Sequence, residues 1–271
     1  DATHNELVLK NISASTLTNH ADLYGGWSEQ GDATNNTITL DGTTYGYFGA
    51  WYYANLHGGG GNNSSKDKTT GNTLKVTTKD NAANSLVNFE KMHFNLNSGI
   101  ASGDTMLYVR TSVQDFDWNK ISVAGAAEWM TGAQGSKDVT LYNGASMNLS
   151  NYAPRGTTSG DFEYGVRSNT STPALSTVSA TKIYFEGNKF QNADVTYDSG
   201  NHIPPVTSHY DGVVFGGIST LGNTTYKNKL TINGGDDFTG RKVAAGYTLS
   251  QTGDATHNEL VLKNISASTL T

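Results

Sequence analysis

Residues 23–40 read LYGGWSEQGDATNNTITL, and the pattern inside them recurs. Residues 214–232 read VFGGISTLGNTTYKNKLTI, and residues 243–262 read VAAGYTLSQTGDATHNELVL. Each copy runs from an apolar or aromatic pair through small residues, over a polar turn, to an Asn followed by two apolar residues set two apart. A looser copy is YGYFGAWYYAN (45–55), which reaches NTLKV (72–76) through the insertion LHGGGGNNSSKDKTTG. Ile38 and Leu40 alternate with Thr37, Thr39 and Asp41, and Leu230 and Ile232 alternate with Lys229, Thr231 and Asn233. Such period-two patterning marks strands with one apolar face. Gly and Asn between them supply the left-handed backbone positions that tight corners need. The last two full copies start 243 − 214 = 29 residues apart. A period of this length built on short strands is the signature of a solenoid. The predicted fold is therefore all-β, a parallel β-helix (β-solenoid) with loop insertions, in which stacked turns also allow Asn and Thr ladders.

A longer repeat encloses the short one. Residues 1–18 and residues 254–271 both read DATHNELVLKNISASTLT, an offset of 254 − 1 = 253 residues. The chain thus reads as one period of a tandem array plus the first 18 residues of the next. The short repeat runs straight through this seam. Asp1 is not preceded by an initiator Met or a leader, so the chain is expected to be an internal piece of a longer parent. Three regions are expected. Residues 1–79 form solenoid coils whose first strand completes a coil of the preceding unit. Residues 80–208 form an irregular solenoid middle, and residues 209–271 form coils running into the next unit. Leu7, Leu9, Leu23, Val243, Leu260 and Leu262 are the residues expected to stack units together.

In the middle, strands are expected over 84–96, 104–111, 119–125, 137–143, 161–168, 181–187 and 194–198. Residues 121–130 are expected to run from strand into a short turn or helix. Residues 144–161, 168–179 and 198–212 read as loops.

Composition removes several function classes. With no Cys, disulfide frameworks and Cys-ligated metals are excluded. A net charge of −6 leaves no basic footprint for nucleic acid. No apolar run is long enough for a membrane-spanning helix, so no membrane insertion of this segment is expected. Nucleophile elbows, phosphate loops, zinc motifs and the calcium-binding nonapeptide are absent from the sequence. NGGDDFTG (233–240) and Asp115 with Asp117 offer carboxylates to a cation, but solvated turn residues account for them better. His202 and His209, with Asp198 and Asp211, are the best grouping for acid–base work, and a surface loop is the simpler reading. No catalytic residue, metal or cofactor is assigned, and the chain is not expected to be an enzyme. Tyr45, Tyr47, Trp51 and Tyr53 share one strand parity. They are the candidate ligand-binding residues, stacking on sugar rings if exposed, or packing coil on coil if buried, the arrangement favoured.

The string LYGGWSEQGDATNNTITLDG, with VFGGIS, GDATHNELVL and the block LVNFEKMHFNL…GIASGDTMLYV, resembles repeats in the passenger regions of bacterial autotransporters. That resemblance implies a right-handed parallel β-helix at the bacterial cell surface, outer-membrane anchored or secreted, with no catalytic set to carry over. Three functions follow in order of expectation. The first is a structural repeat module of an extracellular fibre or long adhesin, whose partners are adjacent copies of the 253-residue unit, covalently joined or docked head to tail. The second is an adhesin that binds a glycan or host surface protein through its loops. The third is a β-helix polysaccharide lyase or hydrolase.

Overall fold

The structure is a computed structural model that describes residues 1–12, 21–42, 54–153, 155–170, 177–198, 213–234, 242–249 and 252–265. Strands make up 56 % and helices 3 % of it, which settles the all-β class. The chain divides into two compact units. One comprises Asp1–Trp129, Val139–Pro154 and Arg167–Phe185, and the other Met130–Asp138, Arg155–Val166 and Glu186–Thr271. No helix among the described residues is long and apolar enough to cross a membrane.

In the first unit, β1 (Glu6–Lys10), β3 (Thr37–Asp41), β5 (Thr73–Val76), β7 (Lys91–Asn95) and β10 (Ile121–Ala124) lie side by side in one sheet. Every pairing is parallel and in register, so the side chains line up in rows. Leu7, Ile38, Leu74, Met92 and Ile121 form one row, and Leu9, Leu40, Val76 and Phe94 the next. These residues are buried apart from half-buried Leu7, while the alternate row of Val8, Thr39, Lys75, His93 and Ser122 faces the other way. A second sheet carries β2 (Asp22–Tyr24), β4 (Asn55–His57), β6 (Asn81–Val87), β8 (Thr105–Val113) and β11 (Lys137–Ser150), again parallel. Here Leu23, Leu56 and Leu86 make the apolar row. The two-residue β9 (Phe116–Asp117) pairs with the end of β11. As expected from residues 121–130, β10 runs into a single helical turn, α1 (Ala126–Trp129), and the Trp129 indole Nε1 donates to Ile100 O at 2.8 Å.

Corners explain the repeat motif. Asn36 and Asn72 are fully buried just before β3 and β5. The backbone N–H of Asn5 donates to Asn36 Oδ1, 31 residues on, and that of Asn36 donates to Asn72 Oδ1, 36 residues on. The spare Asn36 Nδ2 hydrogen reaches Ala2 O, and Asn72 Nδ2 reaches Ala33 O, both at 2.9 Å. The residue before each of these Asn is left-handed: His4 (φ 59), Asn35 (φ 56) and Gly71 (φ 73). The second Gly of the Gly-Gly pair makes room for the Asn, because a Cβ on Gly26 would run into the Asn36 amide.

The second unit repeats this plan. β15 (Asp194–Asp198), β18 (Lys229–Asn233) and β21 (Glu259–Lys263) pair in parallel. β16 (Val213–Ser219) pairs with β19 (Lys242–Thr248), and β17 (Thr225–Tyr226) with β20 (Ala255–Thr256), also in parallel. The corner asparagines are Asn228 and Asn258, preceded by left-handed Lys227 (φ 53) and His257 (φ 55). Ala193 N donates to Asn228 Oδ1, and Asn228 N to Asn258 Oδ1, both at 3.0 Å. Cβ atoms on Gly217 and Gly246 would collide with these two amides.

Two features depart from the sequence reading. Residues 144–161 are not a loop: β11 runs to Ser150 and β12 (Arg155–Ser159) follows. Buried Met147 and Leu149 alternating with exposed Ser146, Asn148 and Ser150 hold the extension in strand. β12 then pairs antiparallel with β13 (Phe162–Ser168), so a hairpin interrupts the parallel plan. The expected loop at 168–179 is also shorter, since β14 (Thr177–Lys189) begins within it. β13 supplies Glu163, whose buried carboxylate accepts from Ser219 Oγ (3.0 Å), Thr220 Oγ1 (2.9 Å), Thr220 N and Asn223 Nδ2 (2.9 Å). This ties the hairpin to the end of β16.

Replacing Asn72 by Ala strands the Asn36 N–H and the Ala33 and Lys68 carbonyls in a dry corner. The expected loss is about 1–3 kcal/mol per group left without a partner, measured by urea unfolding, whereas Gln134→Ala on the exposed surface is expected to change stability by about 0.5 kcal/mol or less.

Candidate functional site

Most of the ligand, cation and acid–base candidates named from the sequence fall outside the described residues. These are Tyr45, Tyr47, Trp51 and Tyr53, His202 and His209 with Asp211, and residues 235–240 of the NGGDDFTG string. Asp198 is used locally, accepting from Asn233 Nδ2 at 2.8 Å. Asp117 accepts from Asn119 N at the start of a short 3-10 turn, and Asp115 accepts from Asn148 N. Among the described residues no group of three or more His, Asp and Glu is placed to hold a metal ion.

What the structure does bring out is the state of the outermost strands. β1 ends its sheet and β21 ends its own, and both carry the sequence ELVLK. In β18 the apolar row is covered, with Leu230 0 % and Ile232 2 % exposed. Their register partners on β21, Leu260 and Leu262, are 43 % and 46 % exposed. Large exposed apolar side chains among the described residues are Val8, Trp27, Leu221, Leu249, Leu260 and Leu262. Trp27 lies in the first copy of the short repeat, Leu249, Leu260 and Leu262 in the last, and Val8 in the duplicated end segment. Of the residues expected to stack units, Leu9 is buried, Leu7, Leu23 and Val243 are half-buried, and Leu260 and Leu262 are open.

Trp27 belongs to this open set. It bridges in parallel to Gly60, where a side chain would strike the Tyr24 and Trp27 rings. Tyr24 packs edge-on against Trp27, with centroids 4.7 Å apart, and stacks on His57 at 4.5 Å. The Trp27 indole donates to Glu29, which also accepts from Asn62. His57 lies 3.4 Å from Asp22. The equivalent residue in the second unit, Ile218, is fully buried and registers with Tyr247. At the other edge, Lys227 lies 5.0 Å over the Tyr226 ring, and Tyr226 meets His257 edge-on at 5.2 Å.

Charge is spent on local hydrogen bonds. The Asn55 amide, and then His57, hold the Asp22 carboxyl below its ordinary value of 3.8. Hydrogen bonds from Thr70 and the Thr69 backbone do the same for Asp67. Glu90 is held below its ordinary 4.5 chiefly by the Gly71 backbone N–H, in the corner ahead of β5, and also by Lys120 at 3.2 Å. Desolvation, helped by the Lys75 charge, lowers the His93 imidazole from 6.5.

All four shifts have one sign for stability. In each case the unfolded chain takes up protons at a higher pH than the folded chain does. The contribution of His93 is complete above 6.5 and declines as the pH falls through that value. Those of Asp22, Asp67 and Glu90 are complete above their ordinary values and are lost as the pH falls through their folded ones. A plot of Tm against pH is expected to be level on the neutral side, to dip first near the His93 range and then to fall more steeply in the carboxylate range. His93→Gln is expected to remove the first step and Glu90→Gln to reduce the second.

No known protein-family model matches the chain, and no curated protein or solved structure is similar to it.

Proposed function

We propose that the chain is a structural repeat module that winds as a parallel β-solenoid. It stacks end to end with further copies of its 253-residue unit, in an extracellular fibre or long adhesin at a bacterial surface. The observation that carries this reading is the contrast between Leu230 and Ile232, which are covered, and Leu260 and Leu262, which are open in the same two rows. An apolar row that continues to the edge of a sheet and stops uncovered has the composition of an interior with one layer removed. Covering a Leu of this kind contributes about 1.5–3 kcal/mol, so a further layer on β21 is favoured. The parallel pairing of segments 30 to 36 residues apart at the corner asparagines supports the winding. The likeness of the repeats to autotransporter passengers supports the surface location.

A second reading, binding of a glycan, is favoured by one observation. The exposed face of Trp27 is flanked by the Glu29 carboxylate and the Asn62 amide, a pairing of ring and polar groups that suits a sugar. A glycan array probed with the wild-type chain and with Trp27→Ala separates the two readings. Binding that disappears in the variant establishes the second.

Electron microscopy of a chain carrying the unit several times is expected to show filaments with an axial repeat of order 50 Å, from roughly ten layers spaced by the inter-strand distance. Globular particles without an axial repeat overturn the stacking reading. The cost of Leu260→Ser is expected to depend on context. In the 271-residue chain it is about 1 kcal/mol or less, because the side chain is open. Where another unit follows, it rises to about 2–4 kcal/mol, as read by chemical denaturation of the two chains.

A further inference from the structure

The duplicated segment is seen twice, in two different surroundings. In its first copy, Asn5 makes only forward bonds within the asparagine row. Its backbone N–H and its Nδ2 both donate to Asn36 Oδ1 at 3.0 Å. In its second copy, Asn258 makes only backward bonds. Its Oδ1 accepts from Asn228 N (3.0 Å) and Asn228 Nδ2 (2.9 Å), and its Nδ2 donates to Thr225 O at 3.1 Å. Interior asparagines make both sets. Asn36 accepts from Asn5, donates through N and Nδ2 to Asn72 Oδ1, and uses its second Nδ2 hydrogen on Ala2 O. Asn228 accepts from Ala193, donates to Asn258, and uses its second hydrogen on Phe190 O. The forward set at Asn5 and the backward set at Asn258 add up to the interior set with no hydrogen used twice.

Other described residues of the segment divide in the same way. Ala2 N donates forward to Asp32 O, while Asp254, the counterpart of Asp1, accepts backward from Thr225 N. Lys10 pairs forward with Asp41 at 3.2 Å, while Asn264, the counterpart of Asn11, donates backward to Asn233 Oδ1.

We propose that Asp254–Ile265 is one half of a joint whose occupant is the stretch 21–42 of the 253-residue unit that follows it in one continuous chain, where Asp254–Ile265 stands as that unit's own residues 1–12. The occupant's β3 lies on β21 in the register that β3 holds on β1, and its Asn36 Oδ1 receives the backbone N–H and the free Nδ2 hydrogen of Asn258. The joint rests on the end-to-end reading above and fixes its partner, polarity and register.

The test is amide hydrogen exchange, comparing the 271-residue chain with a chain in which the 253-residue unit occurs twice before the 18-residue segment. The Asn258 amide is expected to exchange about a hundredfold more slowly in the longer chain. Asn36→Ala confined to the second unit is expected to abolish that protection. The β21 amides of that variant are expected to stay protected, which separates loss of the acceptor from loss of the whole layer. Protection of the β21 amides with the Asn258 amide unchanged overturns the joint and leaves end-to-end stacking standing. Unchanged exchange throughout β21 overturns both.

Discussion

The fold depends on one recurring demand: an amide buried at a corner has to find its partners in the neighbouring layer. Asn36 and Asn228 have almost no exposed surface, and each offers two Nδ2 hydrogens and one oxygen to a dry interior. A buried amide without partners costs about 1–3 kcal/mol, so the corner is stable only when the chain around it supplies partners for the oxygen and both hydrogens. The left-handed residue ahead of each Asn and the Gly that would otherwise collide with it are consequences of that demand. Hydrophobic rows add most of the free energy, but rows alone would tolerate a slip along the sheet. The asparagines fix which residue meets which.

Where the demand lapses, the regular plan lapses with it. After Asn72 the next corner has no Asn in line, and the Asn72 N–H turns back to Thr69 O. Glu90 then takes the Gly71 N–H, and the spacing to the following strand shortens, with Thr73 registering on Lys91. At the start of the second series, Ala193 supplies an N–H to the row but no amide of its own. Between the two series lie the long strand β11, the antiparallel hairpin and the enclosed Glu163, held by hydroxyl and amide donors in place of a corner asparagine.

Much of this was legible in the sequence, because period-two patterning and Gly-Gly pairs both have local causes. The strands at 37–41, 194–198 and 229–233 sit where alternation placed them. Asn ladders were expected as a class from composition, yet their members were not singled out. The signal was present as the Asn two residues ahead of the first apolar residue of each strand, at Asn36, Asn72, Asn228 and Asn258, and its meaning needed the layer above. The extension of β11 was missed because Ser and Gly around Met147 and Leu149 read as turn formers, although the alternation was there. Trp27 and Ile218 occupy equivalent places, yet one is exposed and the other buried, a difference no local pattern encodes. The open edges were legible in another way, since an 18-residue identity marks the segment even though it says nothing of which hydrogens remain unused.

The row of asparagines also has a sense. Each N–H that bonds within it points toward higher residue numbers, and each Oδ1 that receives one faces lower ones. A stack assembled in this way is a vector, and its two extremities are chemically unlike: one shows bare oxygens, the other bare hydrogens. Whatever closes the first has to bring donors, and whatever closes the second has to bring acceptors. No one plug fits both.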